Sequence, residues 1–443
     1  MRVFITIVLS LIFWSCENDN LKPNILWIVT EDNSIHYMNL YTDGGAEMSQ
    51  INALADQGVV FDNAFSNSPV CSVARSTLIT GVYAPRVGTQ YHRRMNRVKL
   101  PDDVKPLPVY LKEAGYYTTN NAKEDYNFKI PETAWDESSL DAHWNNRGDS
   151  SPFFAVFNNG HMHESGIWKQ TNNNILVDKS KIKIPPYFPD TETVRHDLAV
   201  NFSNLIRADS TTAKIIKELK DAGEYENTYI FFYSDHGGPF PRHKRAIYNT
   251  GTKVPFIIKP PKGVTINYNP DQLLSFIDLA PTILSIVGID IPDYIQGKAF
   301  LGDQKTEENK LIYFATDRFD EVFDRLRAVS DGNYRYVRNY DTSKPHALNN
   351  SYRMQIPMMR ELVELHKNGK LNKIQSFWLD SPKPAEELYD LNEDPYEINN
   401  LADSKRHTEI LNKLSRDLDN WIRETNDLGE YPEKELIPEE YLN

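Results

Sequence analysis

Apolar positions along this chain follow two alternating rhythms. Continuous runs of β-branched and aromatic residues are separated by stretches with helical spacing. Asn24–Thr30, reading NILWIVT, is the first run; it predicts a strand buried on both faces of a parallel sheet. Met48, Ile51, Leu54 and Ala55 then recur at helical spacing ahead of a strand-like run at 59–61. Residues 107–114 predict a helix stopped by Gly115, and 116–119 a further strand. Residues 152–157 and 228–233 are two more aromatic-rich strands. Between them an amphipathic helix is predicted over 197–222, closed by Gly223. Residues 254–258 add one strand more. This alternation predicts an α/β fold, a large and mostly parallel sheet flanked by helices on both faces.

From residue 306 onward the runs shorten. Residues 311–315, 327–330 and 334–339 alternate and are bounded by turns, which predicts a small antiparallel sheet. A terminal helix is predicted over 407–426. The division is therefore a main domain at 23–305 and a C-terminal α+β subdomain at 306–443. Ahead of both, Arg2 precedes an apolar stretch at 3–14 and a small Ser15. Residues 1–15 read as a signal peptide, too short to span a bilayer comfortably. Cys16 follows directly and resembles a lipidation site, with acidic Glu17 and Asp19 after it; residues 16–22 then form an N-terminal tether. The expected location is the outer membrane or cell surface, held through the lipid anchor only; the alternative is a periplasmic or secreted protein.

Charge narrows the function. The net charge is −13 over 443 residues with no basic block, which excludes a nucleic-acid footprint. The chain has two cysteines. With Cys16 assigned to the tether, Cys71 has no disulfide partner in the chain, consistent with exported proteins avoiding stray thiols.

Polar residues gather where the predicted strands end, which is where open α/β sheets bind ligands. Glu31 and Asp32 follow the first strand. Asp235 and His236 follow the strand at 228–233, and His163 closes the passage leaving 153–157. Three carboxylates and an imidazole converging on one point repel one another unless a cation neutralises them. Hard oxygen donors suit Ca2+ or Mg2+; one imidazole also admits Mn2+ or Zn2+. Each acidic pair taken alone reads equally well as a solvated loop or a cap. Arg318, close in sequence to Arg325 and Arg327, is expected to grip substrate, because arginine pairs bidentately with carboxylates such as those of uronic acids. The competing reading is a surface loop of ion pairs.

Cys71 itself lies in Ser68-Pro69-Val70-Cys71-Ser72-Val73-Ala74-Arg75-Ser76-Thr77-Leu78-Ile79-Thr80-Gly81. This run resembles the signature of the type I sulfatases, formylglycine-dependent members of the alkaline phosphatase superfamily that include bacterial polysaccharide sulfatases. Val73 stands where that family has proline or alanine. The resemblance continues through 83–88, 115–123, 185–191, 244–255, 277–283 and 387–395, nearly the whole chain after the leader. It implies an alkaline phosphatase-like fold. It implies that a maturation enzyme oxidises Cys71 to formylglycine (3-oxoalanine), the catalytic nucleophile. Arg75 and Lys123 would fix that group, Lys244 would bind sulfate, and His163 would protonate the leaving oxygen. Asp125 stands where the family has histidine and would accept a proton. Glu31, in place of the usual aspartate, would join Asp32, Asp235, His236 and residue 71 around one Ca2+, with Mg2+ or Mn2+ less favoured. His243, beside Lys244, is taken as a further substrate contact. The substrate implied is a sulfated oligosaccharide or polysaccharide, an algal glycan such as ulvan ahead of a glycosaminoglycan. Two other readings stay open: a phosphate or phosphonate ester hydrolase of the same fold, and a non-catalytic glycan-binding surface lipoprotein.

Overall fold

The computed structural model describes residues 22–93, 96–169, 175–430 and 433. The expected leader and Cys16, the expected lipidation site, lie outside them. The strands are β1 (Asn24–Thr30), β2 (Val59–Val60), β3 (Ala64–Phe65), β4 (Tyr117–Asn121), β5 (Glu137–Ser138), β6 (Phe153–Asn159), β7 (Thr228–Ser234), β8 (Phe256–Lys259) and β9 (Leu274–Ser275). Seven of them form one sheet in the order β2-β8-β7-β1-β6-β4-β5. β1, the central strand, runs parallel to both neighbours, with Leu26 opposite Ala155 on one side and Ile230 on the other. Only β8 runs against the rest; β2 beyond it, antiparallel to β8, returns to the common direction. β3 and β9 pair separately.

The pleat divides each central strand between two cores. Leu26, Ile28, Ala155, Phe157, Ile230 and Phe232 face one hydrophobic cluster. Ile25, Trp27, Val29, Phe154, Phe231 and Tyr233 face the other. Both faces are thus buried, which is why these strands read as unbroken apolar runs. The first face is covered by the Glu192–Asp221 helix through Val194, Leu198, Leu205 and Ala208. That helix begins five residues before the predicted 197, because the Thr191 side chain accepts from the Val194 amide and caps it there. The second face is covered by the helices Cys71–Thr80, Leu107–Glu113 and Leu279–Ile286.

The C-terminal strands β10 (Ile312–Phe319), β11 (Val322–Ser330), β12 (Tyr334–Asn339) and β13 (Glu386–Asp390) form an antiparallel sheet in sequence order. The Thr408–Glu424 helix packs Leu414, Leu418 and Trp421 against it. The change of architecture near residue 306 is not a gap in packing. Phe65, Ile247 and Leu273 share one apolar cluster with Ile312, Phe314 and Val337. Ile356, Met358, Met359, Leu362 and Trp378 join the first core. Among the described residues, no helix is long and apolar enough to cross a membrane.

Candidate active site

The site assembles where β1, β6, β4 and β7 end and the Cys71–Thr80 helix begins. Cys71 is the first residue of that helix, and Val70 before it offers no side-chain cap. The helix start therefore presents free amide donors and the positive end of its dipole, a setting that favours anions. The helix is buried throughout, and its small Ser, Ala and Thr residues allow close packing beneath the sheet end. Gly81 ends it in the left-handed region at φ 66°.

Around the Cys71 Sγ stand His236 Nε2 at 3.2 Å, Lys244 Nζ at 3.5 Å and Asp32 Oδ1 at 3.9 Å. His236 Nε2 also lies 3.0 Å from Asp32 Oδ1, while its Nδ1 bonds the Gly237 carbonyl at 2.9 Å. Lys244 Nζ bridges both Asp32 oxygens, at 2.8 and 3.0 Å, and Glu164 Oε1 at 3.2 Å. Arg75 donates to Asp235 Oδ2 at 3.0 Å and to Asn158 Oδ1 at 2.6 Å. Lys123 Nζ reaches Glu31 Oε2 at 2.7 Å, with Asp125 Oδ2 3.8 Å away. Asp32, Cys71, Asp235 and His236 are entirely shielded from solvent.

Burial alone would neutralise these groups, so the retained charges depend on their partners. Burial pushes Asp32 up, but Lys244, then His236 and His163, outweigh it and hold the carboxyl well below its ordinary range. Asp235 likewise lies below its ordinary value, burial being overcome by Arg75 and His236. Burial opposes the His236 imidazolium, yet Asp235, Cys71 and Asp32 raise it to about 10. Lys244 is held well above its usual value against burial by Asp32, Cys71 and Glu164. His163 behaves differently: burial, with Lys244, lowers it to about 4 although Asp32 and Glu31 pull upward. Its Nδ1 is taken by Ser165 Oγ at 2.9 Å.

One ligand atom each from Asp32, Cys71, Asp235 and His236 lie within 4.8 Å of one another, a cluster fit for a metal ion. Lys244 and the His236 imidazole set positive charge directly against these carboxylates. The donor set of buried carboxylates plus one imidazole fits a divalent cation. Glu31 stands outside the four-residue cluster, paired to Lys123. Arg75 Nη2 and Asp125 Oδ2 are buried with no hydrogen-bond partner, unused capacity that an oxygen-rich group would satisfy.

The sequence profile of the sulfatase family matches residues 23–181 and 119–289, and that of the N-sulphoglucosamine sulphohydrolase C-terminal region matches 238–377. The chain belongs to the sulfatase family. It is a sulfuric ester hydrolase, and its family uses formylglycine and a divalent metal. This sulfatase is 40% identical to an ulvan-active sulfatase of Formosa agariphila, over 94% of this chain and 77% of that one. It is 25% identical to the human N-sulphoglucosamine sulphohydrolase, over 91% of this chain and 90% of the relative. Among solved structures, a 2-O GAG sulfatase superposes with a TM-score of 0.68 at 19% identity, covering 92% of this chain and 93% of the other.

Two expected substrate contacts do not reach this site. His243 is fully buried beneath it. Its ring bonds the Tyr37 hydroxyl at 2.8 Å and the Pro241 carbonyl at 3.0 Å, and stacks on Tyr37 and Phe188. Burial lowers it to about 3, which makes it a neutral packing residue. Arg318 is also buried; it pairs with Glu433 at 2.6 and 3.1 Å and donates to the Asp320 and Arg93 carbonyls. Its guanidinium braces loops and is spent on them. Conversely, Glu164 was not foreseen. Its carboxylate takes Arg245 bidentately at 2.8 and 2.9 Å besides meeting Lys244, and its amide donates to Asp32 Oδ2 at 2.7 Å. The only signal for it in the sequence is its place next to His163.

Proposed function

We propose that this sulfatase is exported and removes sulfate esters from an algal type of glycan, with ulvan oligosaccharides as the favoured substrate. The observation that carries this reading is the 40% identity to an ulvan-active sulfatase across 94% of the chain. The match of residues 238–377 to the N-sulphoglucosamine sulphohydrolase C-terminal region favours a glycosaminoglycan as the second reading.

Asp32, Asp235 and His236, with Glu31 at the same strand end as Asp32, would hold the cation, Ca2+ in preference to Mg2+ or Mn2+. Bound there, it supplies a Lewis acid for sulfate oxygens. Residue 71, matured to formylglycine by its maturation enzyme, supplies a nucleophile that can be regenerated. Every further step belongs to side chains of the chain itself. The start of the Cys71–Thr80 helix orients residue 71 at the positive end of its dipole. Arg75, clamped by Asp235 and Asn158, keeps one amino group free for an oxygen placed at residue 71. Lys244 supplies positive charge where sulfuryl oxygens gain electron density. Lys123 approaches from β4 and is steered by Glu31. Asp125 holds a buried oxygen with no hydrogen-bond partner, able to accept a proton. His163 keeps Nδ1 engaged by Ser165, which leaves Nε2 for the ester's bridging oxygen. A lipid anchor at Cys16 on the outer membrane or cell surface would place this chemistry beside extracellular glycan.

The test is sulfate release, read by ion chromatography, after co-expression with a formylglycine-generating enzyme. Oligosaccharides of ulvan, carrageenan and glycosaminoglycans are compared with an aryl phosphate. Highest kcat/KM on ulvan oligosaccharides is expected. Turnover of the phosphate alone, or of glycosaminoglycans alone, would refute the reading.

A further inference from the structure

Next to the buried cluster an open cleft of about 600 Å³ is lined by Arg93, Arg97, Lys123, Glu124 and Asp125, among others. Lys123 and Asp125 belong to both the cleft and the site, so a substrate entering one abuts the other. The charges in the cleft are unequally committed. Lys123 is paired with Glu31, and Glu124 accepts from the Ser138 hydroxyl at 2.6 Å. Arg97 is exposed and makes no hydrogen bond or ion pair with a described residue. Among the described residues, the Arg93 guanidinium makes no ion pair within 4 Å; it meets the face of Tyr352, 5.9 Å from the ring centre.

Arg93 is nevertheless fixed at its base. Its amide donates to Ser72 Oγ at 2.9 Å, next to Cys71 in the chain, and its carbonyl accepts from Arg318 at 3.2 Å. Its backbone is held at φ 49°, a left-handed conformation that costs about 1 kcal/mol or more in a non-glycine residue. Asp125, and then Cys71 and Asp320, raise its pKa against burial, which places the guanidinium in the field of the site. Tyr352 also faces the ring of His163, at 6.4 Å, and meets Trp168 edge-on at 5.1 Å. The cleft therefore carries two arginines without an ion pair among the described residues, one of them set against the ring of Tyr352. In a protein carrying a net charge of −13, two unpaired cations beside an anionic-ester site are not explained by solubility.

We propose that Arg93 and Arg97 form an anion-recognition subsite for a second acidic group of the sulfated glycan, lying beside the ester that is cleaved. This rests on the sulfated-glycan reading above. The planar guanidinium matches the two oxygens of a uronate carboxylate and two of a second sulfate alike. The substrate class is thus an acidic sulfated glycan and not a neutral sugar carrying a single sulfate.

The test uses the matured enzyme and its Arg93→Gln, Arg97→Gln and double variants. Three substrates share the cleaved sulfate: a monosulfated oligosaccharide with a uronate, its carboxyl-reduced counterpart, and a reduced counterpart bearing a second sulfate. Wild type should prefer a doubly acidic substrate by about ten- to a hundredfold in kcat/KM, carried by KM, as one or two charge-assisted contacts supply. The preferred one of the two identifies the acidic group. The variants should lose that preference while turning over the reduced monosulfated substrate at the wild-type rate, with unchanged melting temperature. Equal efficiency of wild type on all three, or equal loss by the variants on all three, would overturn the subsite. Absence of sulfate release by wild type from every glycan would instead refute the sulfated-glycan reading on which it rests.

Discussion

Replacing Glu164 by glutamine tests whether the site depends on its buried ion-pair network. Glu164 is 1% exposed, between Arg245 and Lys244. Burial alone would raise its carboxyl, but Arg245 and then Lys244 lower it from 4.5 to about 2. At about 1.4 kcal/mol per pH unit, that shift corresponds to roughly 3 kcal/mol of stability. Removing one partner of a buried pair costs about 3–5 kcal/mol in general. The lower end applies here, because Arg245 keeps Asp320 at 3.0 Å and Lys244 keeps Asp32. At an unfolding entropy of about 2 cal/mol/K per residue, the loss lowers Tm by roughly 3 °C. The folded pKa is depressed, so the stabilisation is fully present above 4.5 and fades as pH falls toward 2. The gap between wild type and Glu164→Gln should therefore narrow to about 2 kcal/mol at pH 3.5. The assay is thermal unfolding of chelator-treated protein at both pH values, alongside kcat on the preferred substrate. Lys244, released from one of its two acids beside residue 71, should also lower kcat. Equal Tm values at pH 7, or a gap that does not narrow in acid, would refute the reasoning.

Other outcomes follow from the same geometry. Cys71→Ser, produced with a maturation enzyme that acts on cysteine, should fold with an unchanged Tm and show no repeated turnover, because the serine hydroxyl cannot become the aldehyde; steady multiple turnover would contradict this. Prolonged chelation should abolish sulfate release, and Ca2+ should restore it better than Mg2+; activity that survives chelation would remove the cation from the site. Gly251→Ala should collapse the loop that carries Lys244. Its Cβ would stand 2.0 Å from the Ala246 carbonyl oxygen and 2.3 Å from that of His243; soluble protein with a wild-type Tm would refute this.

The sheet was legible because its central strands are buried on both faces and so lack polar positions. The strand ends were legible for the complementary reason: Glu31, Asp32, Asp235 and His236 interrupt apolar runs abruptly. Strand β13 was not legible. It pairs with β12 across an excursion of more than forty residues, and nothing local marks Glu386–Asp390 as extended. His243 and Arg318 were misread for a related cause. His243 neighbours Lys244, but the turn sends the two side chains in opposite directions, one to Tyr37 and one to Asp32. Arg318 stands among other arginines, yet its partner Glu433 is 115 positions away. A charge cluster in sequence shows where charge is, and only the fold shows which charges are already satisfied.

Local rules of chain conformation break around this site more than elsewhere. Asp32, Arg93, Asp125, Arg242, Arg245 and Asp320 all adopt left-handed backbone at φ between 49° and 68°. None is glycine, so each carries strain of about 1 kcal/mol or more that the surroundings must offset. The offsets can be named. The Asp32 amide donates to Asp235, and the Arg245 amide to the Pro69 carbonyl at 2.9 Å. The Asp320 side chain takes Arg245 and Asn350. Arg318 donates to the carbonyls of both Arg93 and Asp320. The arginine expected to grip the glycan therefore does so at one remove. It pins two strained residues at the rim, one of which carries the guanidinium assigned to the substrate.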